Sequence, residues 1–535
     1  MTHKLKSIKQ FFICYGAKFI LLCCFAVYTL WTSWLCDDAY HAFVMARNLV
    51  EGNGFVYNVG SRVTATTCPL YTIITALLYA VIHNMYLAGI IQGMLFSTLA
   101  VYVVIFKLCK DTITSVLSVG IMVSCYSFMC FTTAGLENSL LFFLSALFVY
   151  YTISKQISVK RKLIILSLLI SMIAMTRMDA VLIFLPCICY IYLTEKDIPF
   201  LKRVGIGLMG LLPFIIWELF STVYYGYPFP NTLYAKLYTG FEKSEYYNRG
   251  IDYILHSSIM DVLLLVVPIV LVVLAFIRKS SVMTYFSLGV ALYWFYIISI
   301  GGDFMLGRHM TVPFFLSLIG IIALQYSELE NHYNVKKILL VLLLVGVMGG
   351  YSSLSERDSI FSDTVTSYTG CIFEKEFYYP YTGFRNYINS RREGFDSVER
   401  YYLEYEAGLR FIYESGVDGY CLKLLPGIID YYMQKEKMLY LTDIHGLMDP
   451  LLSHLPAVKE EGWRIGHMYR SIPEGYQESL ASGTNEIRDK SLHEYYDYVL
   501  MITQGDVWDI NRLRVIINMN CGKYDYLVDE YIENL

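Results

Sequence analysis

Charge is what this sequence has little of. Only 16% of its 535 residues are Asp, Glu, Lys or Arg, against about 25% in soluble domains, and 56% are hydrophobic. The shortfall falls mostly before residue 352 and excludes an ordinary soluble enzyme. The apolar content also excludes a disordered chain, and a net charge of −4 gives nucleic acid no basic face to bind. No CxxC pair occurs among the 13 cysteines, so a zinc ribbon or a thioredoxin-type site has no support. Most of them (Cys14, Cys23, Cys24, Cys109, Cys125, Cys130, Cys187, Cys189) sit in or beside apolar segments and read as small hydrophobes. Cys36 with Cys68, or two of Cys371, Cys421 and Cys521, are the pairs an oxidising compartment would allow. A GxxxxGKS/T loop is missing, which argues against ATP-driven transport, and neither GxSxG nor HExxH occurs. There is no internal repeat of the transporter kind, and no Asn-x-Ser/Thr acceptor, which disfavours a eukaryotic secretory origin.

What the chain does have is apolar runs. A span needs about 20 apolar residues. Eleven candidates are read near 18–36, 87–107, 113–132, 139–154, 162–176, 180–194, 204–224, 261–277, 282–300, 310–326 and 336–352. The 14-residue segment 70–83 is too short to cross and reads as interfacial or re-entrant. The first span is too long, and lacks the small-residue site, for a cleaved signal peptide. Lys and Arg set the sides. Seventeen fall at the N-terminus and on its side of the chain, against seven on the opposite short loops. The N-terminus is therefore expected in the cytoplasm, and the tail from 354 to 535 outside it. The expected protein is an α-helical polytopic membrane protein with about 11 transmembrane helices (1–353, external loop 37–86) and a C-terminal soluble α/β domain (354–535). In that tail 498–503 is expected as a strand and 509–519 as a helix.

This topology gathers the polar chemistry on one face, where ionisable residues at span margins mark function by default. Asp37 and Asp38 end the first span. An amphipathic helix from Ala39 to Val50, carrying Tyr40 and Arg47, should follow, capped by one aspartate and stopped by Gly52 and Gly54. Capping needs one carboxylate only, and the second is a candidate general base for a sugar hydroxyl. Arg177, Lys236, Arg308 and His309 stand at outer span ends as clamps for a phosphate, or as anchors that snorkel to headgroups. Glu137, Asp179 and Asp303 can orient those cations or bind hydroxyls; Asn231 and Tyr234 suit sugar recognition, or belong to a purely architectural Pro228-x-Pro230 turn. In the tail, Asp443, His445, Asp449, Arg464 and His467 form either a hydrogen-bonded core, favoured by their spacing, or a second ligand cluster. No cofactor is called for, and no ligand spacing supports a divalent metal.

Several of these segments, in this order, resemble one family. The acidic pair followed by Tyr40, Arg47-Asn48-Leu49 and Glu51-Gly52-x-Gly54 is similar to its opening signature. Pro228-x-Pro230-Asn231-Thr232-x-Tyr234-Ala235-Lys236 and Gly301-Gly302-Asp303-Phe304-Met305-x-Gly307-Arg308 match equally well, and Thr442 to Pro450 and Tyr495 to Asp525 also look familiar. The family is that of bacterial polytopic glycosyltransferases of the C class (GT-C fold), which includes mycobacterial terminal β-arabinofuranosyltransferases and proteins named as flagellar motor control proteins. The resemblance covers roughly residues 34–525. It implies a multi-span inner-membrane enzyme that moves one sugar, such as arabinofuranose, from a polyprenyl-phosphate donor to an envelope glycan or glycolipid acceptor. Asp37 or Asp38 would be its catalytic carboxylate, and the tail would help to bind the acceptor. Two departures stand out: Thr64-Ala65 where relatives have Glu-Gly, and Met178 where Pro is usual. Rival readings are transfer of another sugar, a protein acceptor, a lipid-linked sugar transporter, and a non-catalytic envelope or motor assembly factor.

Overall fold

A computed structural model gives the architecture and describes residues 2–278, 281–326, 335–360, 371–403, 420–423, 427–437, 440–460 and 463–534. Each of the eleven apolar runs falls largely on helix, with 113–132 broken at Cys125. They are α1 (Thr2–Trp31), α4 (Met85–Val103), α5 (Thr112–Ser124), α7 (Asn138–Ile153), α8 (Val159–Thr176), α9 (Val181–Thr194), α10 (Phe200–Tyr225), α13 (Leu263–Arg278), α14 (Ser281–Ser299), α15 (Thr311–Ala323) and α16 (Val335–Ile360). By length and composition four helices among the described residues are long and apolar enough to cross a membrane: 85–108, 200–225, 282–299 and 308–326. α16 runs on through residue 354.

Shorter elements build the face where the site lies. The expected amphipathic helix is α2 (Ala39–Val50), with Asp38 at its N-cap, although no side chain caps it. The 70–83 segment is α3 (Pro69–Ile82), started by Pro69 and stopped at His83 in the left-handed region. At about 1.5 Å per residue it is too short to cross. α6 (Tyr126–Cys130) continues α5 after a break at Cys125, and α11 (Asn231–Leu237) follows the Pro228-x-Pro230 turn. The polar helix α12 (Lys243–Met260) meets α13 at 100°, and the joint is Asp261, whose carboxylate accepts from Ser127 N at 2.9 Å and Cys125 Sγ at 3.2 Å.

The tail is largely helical: α17 (Glu374–Thr382), α18 (Phe384–Arg392), α19 (Ile428–Lys437), α20 (Tyr476–Ser482), α21 (Lys490–Gln504), α22 (Ile510–Asn520) and α23 (Asp525–Glu533). Among the described residues its sheet is one parallel pair, β1 (Tyr420–Lys423) beside β2 (Tyr440–Asp443), with Tyr420 opposite Tyr440. The expected strand at 498–503 is therefore corrected: it lies inside α21. Leu492, Tyr495, Tyr496, Val499, Ile502 and Thr503 are its buried residues, and that spacing is a helix's period, which outweighed the β-branched look of the local run. The helix expected at 509–519 is α22.

The first part of the tail joins the membrane core. Arg47 donates to Tyr431 O at 2.7 Å and to Gln434 Oε1 at 3.2 Å, Tyr57 donates to Asp430, and the Tyr40 ring packs edge-on against Tyr431. α2 is thereby buried between the membrane helices and α19. Leu451, Leu452 and Leu455 with apolar residues of 476–531 form a separate hydrophobic cluster of their own.

Candidate functional site

The C-terminal ends of α1 and α8 and the N-terminal ends of α7 and α15, together with α11, the start of α17 and the 445–467 loops, converge on one cavity of about 220 Å³. It brings together Asp37, Asp38, Glu137, Arg177, Lys236, Asp303, Arg308, His309, His445, Arg464 and His467 of the residues singled out in the sequence. Tyr40, Arg47, Asp179, Asn231, Tyr234 and Asp449 do not line it.

The two aspartates differ. Asp37 Oδ1 accepts a hydrogen bond from Ile428 N at 2.7 Å, and its carboxylate lies against Gly427 so closely that a Cβ there would clash with it. Gly427, at φ 154°, is what lets the tail's backbone reach this carboxylate. Asp38 instead faces the cavity, its side chain 27% exposed, with Arg308 Nη1 3.8 Å from Oδ2. His41, one turn on, also lines the cavity.

Below them is a network of buried charge. Arg177 is bidentate to Asp179, at 2.8 and 2.9 Å, and donates to Glu137 Oε1 at 2.8 Å. Arg308 meets the same Glu137 at 3.1 and 3.3 Å and Asp303 at 3.5 Å. Burial pushes Glu137 up, but Arg308 and Arg177 overcome it and hold the carboxyl at about 2. His309 is packed between Asp303, 3.3 Å from Nε2, and Tyr293, 3.3 Å from Nδ1. The loop carrying this set is shaped by Gly307, at φ 77°, where a Cβ would come 2.6 Å from Ser127 Oγ. α12 supports it from below: Ser257 Oγ accepts from Gly307 N, and Tyr253 Oη from His309 N, each at 3.0 Å.

The rim is different. Lys236 and Arg464 line the cavity with no carboxylate within 4.0 Å of either among the described residues. Desolvation, then Arg177 and Arg308, lower the Lys236 ammonium, while Asp303 and Asp38 oppose them. His467 stands beside His445, ring centroids 5.4 Å apart, and is lowered to about 4 by burial with His445 adding to it.

Glu374, in the first turn of α17, carried no motif and could be found only by folding the tail back. It is 7% exposed, and its Oε2 has no hydrogen-bond partner. Burial, then Asp38 and Asp37, push it well above the usual carboxylate range. Thr66, Thr67 and Thr232, which lie in or beside the motif segments but were given no role, line the cavity as well, as does Tyr378, which gave no signal.

The predicted residues outside the cavity have other occupations. Asn231 donates to Gly446 O, Leu447 O and Asp449 O at 3.0, 3.2 and 3.0 Å, and accepts from Ser453, so its amide pins the 446–453 loop. Tyr234 stacks among Tyr227, Tyr238 and His454. Asp449 accepts from Tyr476 Oη, Leu451 N and Leu452 N. Of the cysteine pairs considered, Cys36, Cys68, Cys371 and Cys521 are free thiols; the Cys421 side chain lies outside the described residues. Among the described residues no three His, Cys, Asp or Glu are grouped to hold a metal ion.

The chain matches no protein-family model and no curated protein. Among solved structures, ArnT from Cupriavidus metallidurans bound to undecaprenyl phosphate is similar over 79% of this chain and 85% of that one. The identity is 11% and the TM-score 0.46, a likeness too distant to bear on this chain's chemistry.

Proposed function

We propose that this protein is a membrane glycosyltransferase that moves one sugar from a polyprenyl-phosphate donor to an envelope glycan or glycolipid acceptor. The observation that carries the reading is a single cavity at the ends of the apolar helices, lined by an accessible carboxylate, Asp38, and by two cations, Lys236 and Arg464, with no carboxylate within 4.0 Å of either among the described residues. Such a pairing suits displacement of a phosphate by a hydroxyl.

Asp38 takes the proton of the acceptor hydroxyl. The oxygen attacks the anomeric carbon, the bond from that carbon to the phosphate oxygen breaks, and the configuration inverts. Charge accumulates on the leaving lipid phosphate, and Lys236 with Arg464 stabilises it there. Arg308, held by Glu137 and Asp303, orients Asp38 from 3.8 Å. Asp37, bound to the 427–428 backbone, positions the loop. The motifs at 37–54, 228–236 and 301–308 favour a pentofuranose, arabinofuranose in particular, as the sugar.

The test uses the full chain in vesicles with radiolabelled polyprenyl-phosphate arabinofuranose. Asp38→Asn should cost about 10²–10⁴-fold in transfer. Asp37→Asn keeps an oxygen for Ile428 N and should cost far less. Full transfer by Asp38→Asn removes the base assignment. A wild-type protein that leaves this donor untouched but consumes another lipid-linked sugar corrects the sugar alone.

A further inference from the structure

We propose that the outer face of α22, with Trp508 just before it, is a docking surface for membrane lipid, resting on the bilayer where α10 leaves it. The inference is independent of the glycosyltransferase reading.

α22 has two apolar stripes. Arg512, Val515, Ile516 and Met519 form its buried side. At 3.6 residues per turn, Ile510, Arg514 and Ile517 fall together on the opposite side of the helix. Ile510 is 71% exposed, Ile517 64% and Trp508 78%, and Arg514 is exposed between them. A surface helix normally turns polar residues to water, and this one turns isoleucine and follows an open tryptophan.

The height of that face is fixed by its fastening. Arg512 donates to Val223 O at 2.7 Å, to Tyr224 O at 2.8 Å and to Ile502 O at 2.9 Å, while Asn520 donates to Gly226 O at 2.8 Å. Residues 223 and 224 are in the last turn of α10, an apolar helix whose Leu208, Met209, Leu212, Ile216 and Leu219 all point outward. α22 is thus fastened to the end of an apolar helix with exposed Leu, Met and Ile, at the level where such a helix would meet water, which is where Trp is enriched and where Arg reaches headgroup phosphate. The nearby carboxylates are occupied in the backbone: Asp506 accepts from Trp508 N and Asp509 from Asn511 N, at 2.8 and 2.9 Å. An interfacial helix of this make-up buries its apolar face at the headgroup–acyl boundary.

The full chain is reconstituted in phosphatidylethanolamine–phosphatidylglycerol vesicles with ordinary or brominated acyl chains. The Trp508 emission is taken as the difference between the wild type and Trp508→Phe. The expected result is loss of that difference emission in brominated lipid, with protection from aqueous iodide. Ile510→Ser/Ile517→Ser should restore part of the emission. Emission that ignores bromine and is quenched by iodide means the face is in water and overturns the proposal. Emission quenched by neither, and changing with protein density in the vesicle, means a second copy covers the face and overturns it as well.

Discussion

On the floor of the cavity Arg177 and Arg308 share one carboxylate, Glu137, at 2.8 and 3.1 Å, and each has a further acid of its own. On the rim Lys236 and Arg464 face the same space with no carboxylate within 4.0 Å among the described residues. Cations deep in a protein need compensation from the fold itself, because desolvation costs several kcal/mol per ion. A cation at an accessible margin can wait for a ligand to supply the opposite charge. Under the proposed function the difference gives the floor to architecture and the rim to the donor phosphate, although all four residues are basic and all line one cavity.

The largest effect should come from removing the floor's shared acid. Glu137→Gln leaves two buried guanidiniums short of a carboxylate, and breaking such a pair costs about 3–5 kcal/mol. A large fall in thermal stability of the detergent-solubilised protein is expected, with transfer lost because Arg308 no longer holds its place. The same residue sets an acid limit. Its folded pKa of about 2 lies below the ordinary 4.5, so its stabilisation is complete above pH 4.5 and fades as the pH falls towards 2. That contribution is of order 3 kcal/mol at about 1.4 kcal/mol per unit, and the Gln variant should lose this part of the acid-side slope. An unchanged melting profile would sink the claim that the floor is structural.

On the rim, Lys236→Ala and Arg464→Ala should leave the melting temperature near the wild-type value and weaken the donor instead. A hydrogen bond to a charged group is worth about 1.5–3 kcal/mol, or roughly 10–100-fold in the KM for the lipid donor. Steady-state assays over a range of donor concentrations separate this from a fall in kcat. If Lys236→Ala destabilises the fold as Glu137→Gln does, the contrast between the two regions disappears.

How much of this was legible in the sequence depends on how local its signal was. The apolar runs marked the helices because twenty uncharged residues leave few other options. α2 was legible from its period and the acidic pair before it. The cavity's acids and cations could be named from the span ends, since a charge at such a margin is costly enough to be conspicuous. Glu137, Asp179 and Asp303 could be named as acids that orient the cations, and Arg177 and Arg308 do pair with them; what was not legible is that Lys236, also at a span end, has no carboxylate within 4.0 Å among the described residues. Asn231 looked like a sugar ligand because its partners, the carbonyls of 446–449, lie more than two hundred residues on. The strand expected at 498–503 failed for a related reason, since the side chains that bury α21 come from a longer window than the run that suggested it.

Glu374 gives the smallest effect and the finest test of the comparison, for it is a buried acid that the floor does not compensate. Arg308 is its one opposing cation of note, while burial, Asp38 and Asp37 all favour the protonated form. A carboxyl whose folded pKa is raised above its unfolded value contributes fully below the unfolded value, near 4.5. That contribution is lost as the pH rises towards the folded pKa, because only the unfolded chain then releases the proton. Glu374→Gln keeps the shape of the neutral acid and has no proton to lose. The two proteins should therefore melt together near pH 4.5, and the variant should become the more stable by a growing margin as the pH is raised to 8. A constant gap would mean that Glu374 is ionised like an ordinary surface glutamate and that another cation compensates it. A gap that grows in the opposite sense would place it with Glu137 as part of the floor.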